Sequence, residues 1–208
     1  MAARAGAHTV SKRGRPTAGE RVARRARILD AALPVFLAHG FGNTTVEQLA
    51  AAAGVTKRTI YSYFGDKGGV FTEMVRVLAT TVSSQAPAGE MLESLATRIV
   101  FRLDSAELIG LHRLVIAEST RFPELAVTLH DNGEAQHIAR LAEHLLAERG
   151  GAAVHLARPL FTLLVGEEHR KRLLGLLGPV TEDEARDQAR AALAALDLAD
   201  AVMAPPAD

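Results

Sequence analysis

Lys57, Arg58, Thr59 and Tyr61 place two cations and two hydroxyl groups within five positions of the run TTVEQLAAAAGVTKRTIYSYF, residues 44 to 64. Long donors near the N-terminal end of a helix can reach base edges in a DNA groove, and hydroxyls can hydrogen-bond phosphate oxygens. This chemistry needs the side chains on one exposed arc. At 100° per residue Arg58, Thr59 and Ser62 lie opposite Ile60 and Phe64, with Lys57 and Tyr61 flanking them. Taken alone, the segment also fits a helical hairpin in an all-α core whose cations are merely solvated.

The elements that hold this arc are written in the neighbouring residues. Thr44 precedes Glu47, and Thr45 precedes Gln48, by the three-residue spacing of a capping box, so a helix begins near Val46. Val46, Leu49, Ala50 and Ala53 share one face of it. Gly54 supplies the left-handed turn, Val55 fills the corner, and Thr56 caps the next helix. Upstream, Leu29, Ala32, Leu33 and Phe36 form an amphipathic helix ending at Gly40, long enough to cover the apolar side of the hairpin.

With that third helix, the run ILDAALPVFLAHGFGNTTVEQLAAAAGVTKRTIYSYFGDKGGVF, residues 28 to 71, resembles the TetR family of one-component transcriptional regulators. The resemblance implies a dimeric repressor. Its N-terminal domain would bind a palindromic operator on double-stranded DNA, and its helical body would bind a small molecule that releases the DNA. By the same resemblance Lys57, Arg58 and Thr59 match the base-reading segment, and Thr45, Tyr61, Tyr63 and Lys67 match phosphate-holding positions. Ile60 and Phe64 match structural positions.

Two departures stand out. Pro34 inside the first helix removes a backbone hydrogen bond at about 3 kcal/mol if uncompensated, which predicts a kink. Gly68 and Gly69 open the fourth helix at ~1 kcal/mol each relative to Ala, which predicts a soft start.

The chain's 24 basic and 24 acidic side chains cancel, but the cancellation is between halves. Residues 1 to 80 carry 12 Lys plus Arg against 5 Asp plus Glu, a net +7, and the remainder carries −7. A basic end joined to an acidic body fits a nucleic-acid-binding domain on a regulatory one, with affinity that falls as salt rises. Residues 1 to 18 form a basic arm too poor in large apolar side chains to fold, and are expected to be disordered. Within it Arg13-Gly14-Arg15-Pro16 resembles the AT-hook, whose Arg-Gly-Arg core lies in a narrow minor groove; the alternative is a solvated tail with non-specific attraction.

There is no secretory apolar core and no membrane-length apolar run, so a cytoplasmic location is expected and no membrane partner. Zero Cys removes disulfides and Cys-ligated zinc. Nor is there a Gly-x-Ser-x-Gly or a His-Glu-x-x-His pattern, so an enzyme would need dispersed catalytic residues. That helical enzyme, or a ligand-binding module that no longer binds DNA, is the rival reading.

The expected architecture is all-α. A helix-turn-helix domain over residues 19 to 66 precedes a helical effector-binding and dimerisation domain over 67 to 204. Helices are predicted through Met91 to Leu103, after Ser105, from Pro123 to Gly150 with an interruption at Asn132-Gly133, and from Pro159 to Gly178. Leu160, Leu163, Leu164, Leu173, Leu174, Leu176 and Leu177 in one late helix, with Ala185, Ala189, Ala192, Leu193 and Leu196 in the last, suggest a four-helix homodimer interface. The alternative is internal core.

Residues 111 to 125, LHRLVIAESTRFPEL, resemble the AefR-type C-terminal variant of the family. Candidate effector-lining residues are Phe101, Leu108, His112, Val115, Leu129, Phe161, Val165 and His169, and each could equally be plain core. They suit a small, mostly apolar effector. His130, His137 and His144 recur every seven residues, a rise of about 10.5 Å on a helix, so they cannot share one ion. No metal or cofactor is expected.

Overall fold

The computed structural model describes residues 17–84 and 90–199, and every regular element among them is helical. Helix α1 (Ala18–Asn43) opens on Thr17, which closes a capping box with Glu20. Its stripe of Ile28, Leu29, Ala32, Leu33 and Phe36 is buried. At Pro34, where a kink is expected, the backbone dihedrals stay helical. The proline lies on the exposed face, where the carbonyl it leaves unpaired can meet water, and the non-helical dihedrals fall at Gly40, with φ of 75°.

Helices α2 (Val46–Ala52), α3 (Lys57–Phe64) and α4 (Lys67–Ser84) complete the N-terminal part. Of the two possible caps for α2, Thr45 with Gln48 is the one used. Thr44 is buried, and its hydroxyl donates to the Gly40 carbonyl at 2.6 Å, which leaves Glu47 without a capping task. Gly54 takes φ of +63°, and Val55 N donates back to Ala50 O at 2.9 Å, closing the turn between α2 and α3.

The body comprises α5 (Leu92–Leu103), α6 (Ala106–Glu118), α7 (Pro123–Leu129), α8 (Ala135–Arg149), α9 (Ala157–Leu173) and α10 (Glu182–Ala194). Ser105 caps α6 as its position predicts, and Pro123 opens α7. The interruption at Asn132-Gly133 is a π-helical turn, His130–Glu134, between α7 and α8. A 3-10 turn, Gly151–Leu156, joins α8 to α9, and α9 bends at Gly166, whose φ is 44°.

Two apolar clusters hold these helices, and they do not divide at the expected boundary after residue 66. One joins α1, α2, α3 and the first half of α4 to Leu108, Leu111, Leu114 and Val115 of α6 and Leu125 of α7. Phe36, Phe41 and Phe71 pack ring against ring at its centre, with centroids 5.5–5.7 Å apart. The other gathers α5, α8, α9 and α10. Ala185, Ala189, Ala192 and Leu193 of α10 belong to it, as do Leu160 and Leu164 of α9. The small-residue stripe therefore lies inside the protomer, where it lets α10 sit close along α5, and is not available to a second chain. Leu163, Leu174, Leu176 and Leu177 do remain exposed.

No helix among the described residues is long and apolar enough to cross a membrane.

Candidate functional site

The arc of α3 that chemistry singled out is exposed. Ile60 is fully buried and anchors the helix, whereas Lys57, Arg58, Tyr61 and Ser62 are open to solvent. Thr56 caps α3: its Oγ1 accepts from Thr59 N at 3.3 Å and lies 3.0 Å from Thr59 Oγ1. Lys57 Nζ meets Glu47 Oε1 of α2 at 2.7 Å, both side chains more than half exposed. That contact lowers the pKa of Glu47 and raises that of Lys57. An exposed pair of this kind is weak and exchangeable, so Lys57 can leave Glu47 for a nucleic-acid acceptor. Thr45 stands exposed at the start of α2, and Tyr63 is half-buried against Phe64.

The surroundings of α3 add two cations that the sequence reading passed over. Arg21 and Arg24, one turn apart on α1, line a shallow polar groove with Thr56, Arg58, Thr59, Ser62 and Tyr63. Their i, i+3 spacing at the start of an amphipathic helix was the available signal, but only the tertiary arrangement of α1, which packs on α2 and α4, brings them beside Arg58. Arg25, their neighbour, is already engaged: it pairs with Glu73 of α4 at 3.0 Å and lies over the Phe64 ring.

Lys67 is engaged within the chain. Its Nζ donates to the carbonyls of Phe41, Gly42 and Thr44 at 2.7, 2.9 and 3.0 Å and lies 4.8 Å from the Phe41 ring centroid. All three ammonium donors are thus used within the chain, where they satisfy the end of α1 and fix the turn into α2. Lys67 so placed helps to position α2 and α3. Gly69 has a structural task as well. Asp66 Oδ1 caps its N–H at 2.8 Å, and a Cβ there would lie 1.9 Å from Phe64 O, so this glycine allows α3 and α4 to join closely. Arg13 and Arg15 lie outside the described residues.

The body contains a cavity of about 280 Å³. Of the expected lining, Leu108, His112, Val115, Leu129, Phe161, Val165 and His169 surround it. Phe101 does not: it is 46% exposed on the outer face of α5, because the buried stripe runs through Leu92, Leu95, Ala96, Ile99, Val100 and Leu103. That periodicity was legible and argues against Phe101. Residues not anticipated include Val75 and Leu78 of α4, Arg102 of α5, His130 and Glu134 of the π-helical turn, and His137 of α8.

Polar groups enter this largely apolar space in one connected set. His169 Nδ1 donates to Asp104 Oδ1 at 2.6 Å, Arg172 reaches Asp104 Oδ2 at 3.2 Å, and His112 Nδ1 lies 3.0 Å from His169 Nε2. Arg172 also donates to Gly178 O at 3.0 Å, which ties α9 to the segment before α10. Burial, then the adjacent His169, push His112 down to about 4 despite Asp104. Burial alone does the same to His137, which stacks on Phe161. Of the three periodic histidines, His130 pairs with Glu134 and lines the cavity together with His137, while His144 faces the Arg140 carbonyl.

The chain matches two family models. One, for bacterial regulatory proteins of the tetR family, covers residues 28–74, and the other, for the C-terminal domain of AefR-like transcriptional repressors, covers residues 90–196. Among curated proteins it is 47% identical over 53 residues to the transcriptional regulator SrpR of Pseudomonas putida, covering 26% of this chain and 25% of that one. The first curated relatives are matched over only about a quarter to two fifths of their length. Among solved structures, a TetR-family regulator from Mesorhizobium loti is 28% identical with a TM-score of 0.66, over 86% of this chain and 98% of that one. The flavonoid-responsive regulator FrrA is also 28% identical, with a TM-score of 0.63, over 83% and 94%. A helix-turn-helix with exposed cations, carried on a helical body, in a chain that two successive family models cover, makes this chain a member of the TetR family of transcriptional regulators, with an AefR-like C-terminal domain.

Proposed function

We propose that the protein is a cytoplasmic repressor that binds a palindromic operator as a homodimer and is released by a small, mostly apolar effector bound in the cavity. One observation carries this reading. The cavity is walled by α4 and α6, and those same two helices pack into the apolar cluster that holds α1, α2 and α3. Val75 belongs to both, as do Leu108, Leu111 and Val115. A ligand that displaces these side chains must therefore move groups that seat the reading helix, which couples the two ends through packing.

On DNA, Lys57, Arg58 and Thr59 would read base edges, and Thr45, Tyr61 and Tyr63 would hold the backbone, joined by Arg21 and Arg24. Arg13 and Arg15 would follow the minor groove. Two half-sites call for two copies. Because the inner stripe of α10 is occupied, the dimer would use the outer faces of the last two helices, where Leu163 of α9 and Ala191 and Ala194 of α10 are exposed.

Selection of genomic fragments by the purified protein tests the first step. Enrichment of a palindrome, lost in Arg58→Ala, is the expected result, and failure to enrich any site refutes the regulator reading. Light scattering that gives a monomer at micromolar concentration refutes the dimer.

A further inference from the structure

The buried polar set beside the cavity has a direction of hydrogen bonding that its chemistry decides. Asp104 is 1% exposed, and His169 and Arg172 are each 6% exposed. A carboxylate only accepts, so His169 must carry its proton on Nδ1, the atom 2.6 Å from Asp104. Arg172 already balances the Asp104 charge from the other oxygen, and its further partner Glu184, 3.9 Å away with a side chain 60% exposed, is screened by solvent. A second cation on His169 would stand unbalanced in the interior, so this imidazole is neutral and its Nε2 is an acceptor. The contact of 3.0 Å between the two rings then requires the proton on Nδ1 of His112. His112 Nε2 is left as a lone pair, with no hydrogen-bond partner among the described residues, on a ring that lines the cavity.

A second observation points the same way. His137 is 3% exposed, lines the same cavity and has no hydrogen-bond partner among the described residues. With both imidazoles held at about 4, neither offers a positive charge at neutral pH. The remaining walls are mainly Leu, Val and Phe side chains.

We infer that the cavity binds a small, uncharged apolar molecule carrying a hydroxyl group, a phenol or an alcohol, whose O–H donates to Nε2 of His112. The inference rests on the cavity being the effector site. Asp104 and His169 act as positioning residues: they set the tautomer of His112, and through it they decide that the ligand must donate. Arg102, whose Nε is buried without a partner, is the competing group, since it would favour a carboxylate instead.

The test compares 2-naphthol, 2-methoxynaphthalene and 2-naphthoate, titrated calorimetrically into the full chain at pH 7. The alcohol is expected to bind about tenfold or more tightly than the ether, since the ether leaves the imidazole lone pair unsatisfied. In His112→Phe that preference should vanish. Equal binding of alcohol and ether, or tighter binding of the naphthoate, overturns the inference. Nitrogen-15 NMR of the histidines needs no ligand and no variant. Protons on Nδ1 of both His112 and His169 are expected, and an Nε2-protonated or cationic His112 at pH 7 overturns the hydrogen-bond polarity by itself. Expected tautomers with no binding of any of the three compounds would instead remove the effector reading, and the inference with it.

Discussion

Gly69→Ala separates helix propensity from tertiary packing, because the two give opposite signs. In the first turn of a helix, Ala is favoured over Gly by about 1 kcal/mol. At this position, however, a Cβ would lie 1.9 Å from the Phe64 carbonyl oxygen, well inside the 3.0 Å that such contacts essentially never breach. The obstacle is backbone, so relief needs roughly 1 Å of movement where α3 joins α4, in a packed interior that resists it. Overpacking of this kind costs about 1–3 kcal/mol. Net of propensity, a loss of up to about 2 kcal/mol is expected, which lowers Tm by up to roughly 8 °C in a chain of this size. Gly68→Ala is the control, since its nearest neighbour is the Asp66 side-chain oxygen at 3.1 Å, and a shift of a few tenths of an ångström relieves that contact while the oxygen keeps its bond to the Gly69 N–H. Its Tm should stay level or rise. Thermal unfolding followed by circular dichroism reads both variants, and a Gly69→Ala protein that melts at or above wild type refutes the reasoning. Since Phe64 ends the reading helix, Gly69→Ala should also weaken DNA binding.

Lys67→Met removes three charge-assisted hydrogen bonds and should destabilise the protein by roughly 1.5–3 kcal/mol with no DNA present; an unchanged melt with only DNA affinity lost would restore it as a phosphate contact. His137 titrates at about 4 in the folded chain against an ordinary 6.5. The unfolded chain therefore takes up the proton first as pH falls, and stability that is full above 6.5 declines towards 4 by up to roughly 3 kcal/mol. In His137→Phe, urea melts over that window should show a shallower decline, and an identical slope would contradict the burial argument. Glu47→Gln frees Lys57 and should tighten operator binding roughly two- to fivefold at low salt, with the gain lost at high salt. Fluorescence anisotropy measures it, and weaker binding would mean that Glu47 positions Lys57 productively.

The helices that carry the exposed basic arc were legible because their signals are local. The Thr45 and Gln48 capping box, Gly54 at φ of +63° and Thr56 as the next cap all act within four residues of chain. The same holds for Ser105, Pro123 and the interruption at Asn132-Gly133. Seven of the eight expected cavity residues line it, and the eighth, Phe101, fell outside because its neighbours' 3.6-residue stripe was not applied to it. The internal partners of Lys67 and of the alanine stripe of α10 were illegible for a different reason. A free-looking cation and a close-packing face carry the same sequence pattern whether their partner is DNA, a second chain or a segment of the same protomer.

What the chain determined by itself was helix identity, the exposed basic arc and the asymmetry of charge, because each depends on residue type at fixed short spacing. The tertiary structure decided which groups find partners. It set Lys67 among three carbonyls that lie 23 to 26 residues away, and it set Asp104 against His169 and Arg172 across 65 and 68 residues. Such contacts follow from how whole helices pack, and no local rule of spacing can specify them. For the same reason the cavity's apolar lining was visible in composition, whereas the hydrogen-bond direction that its wall imposes emerged only once α5, α6 and α9 were brought together.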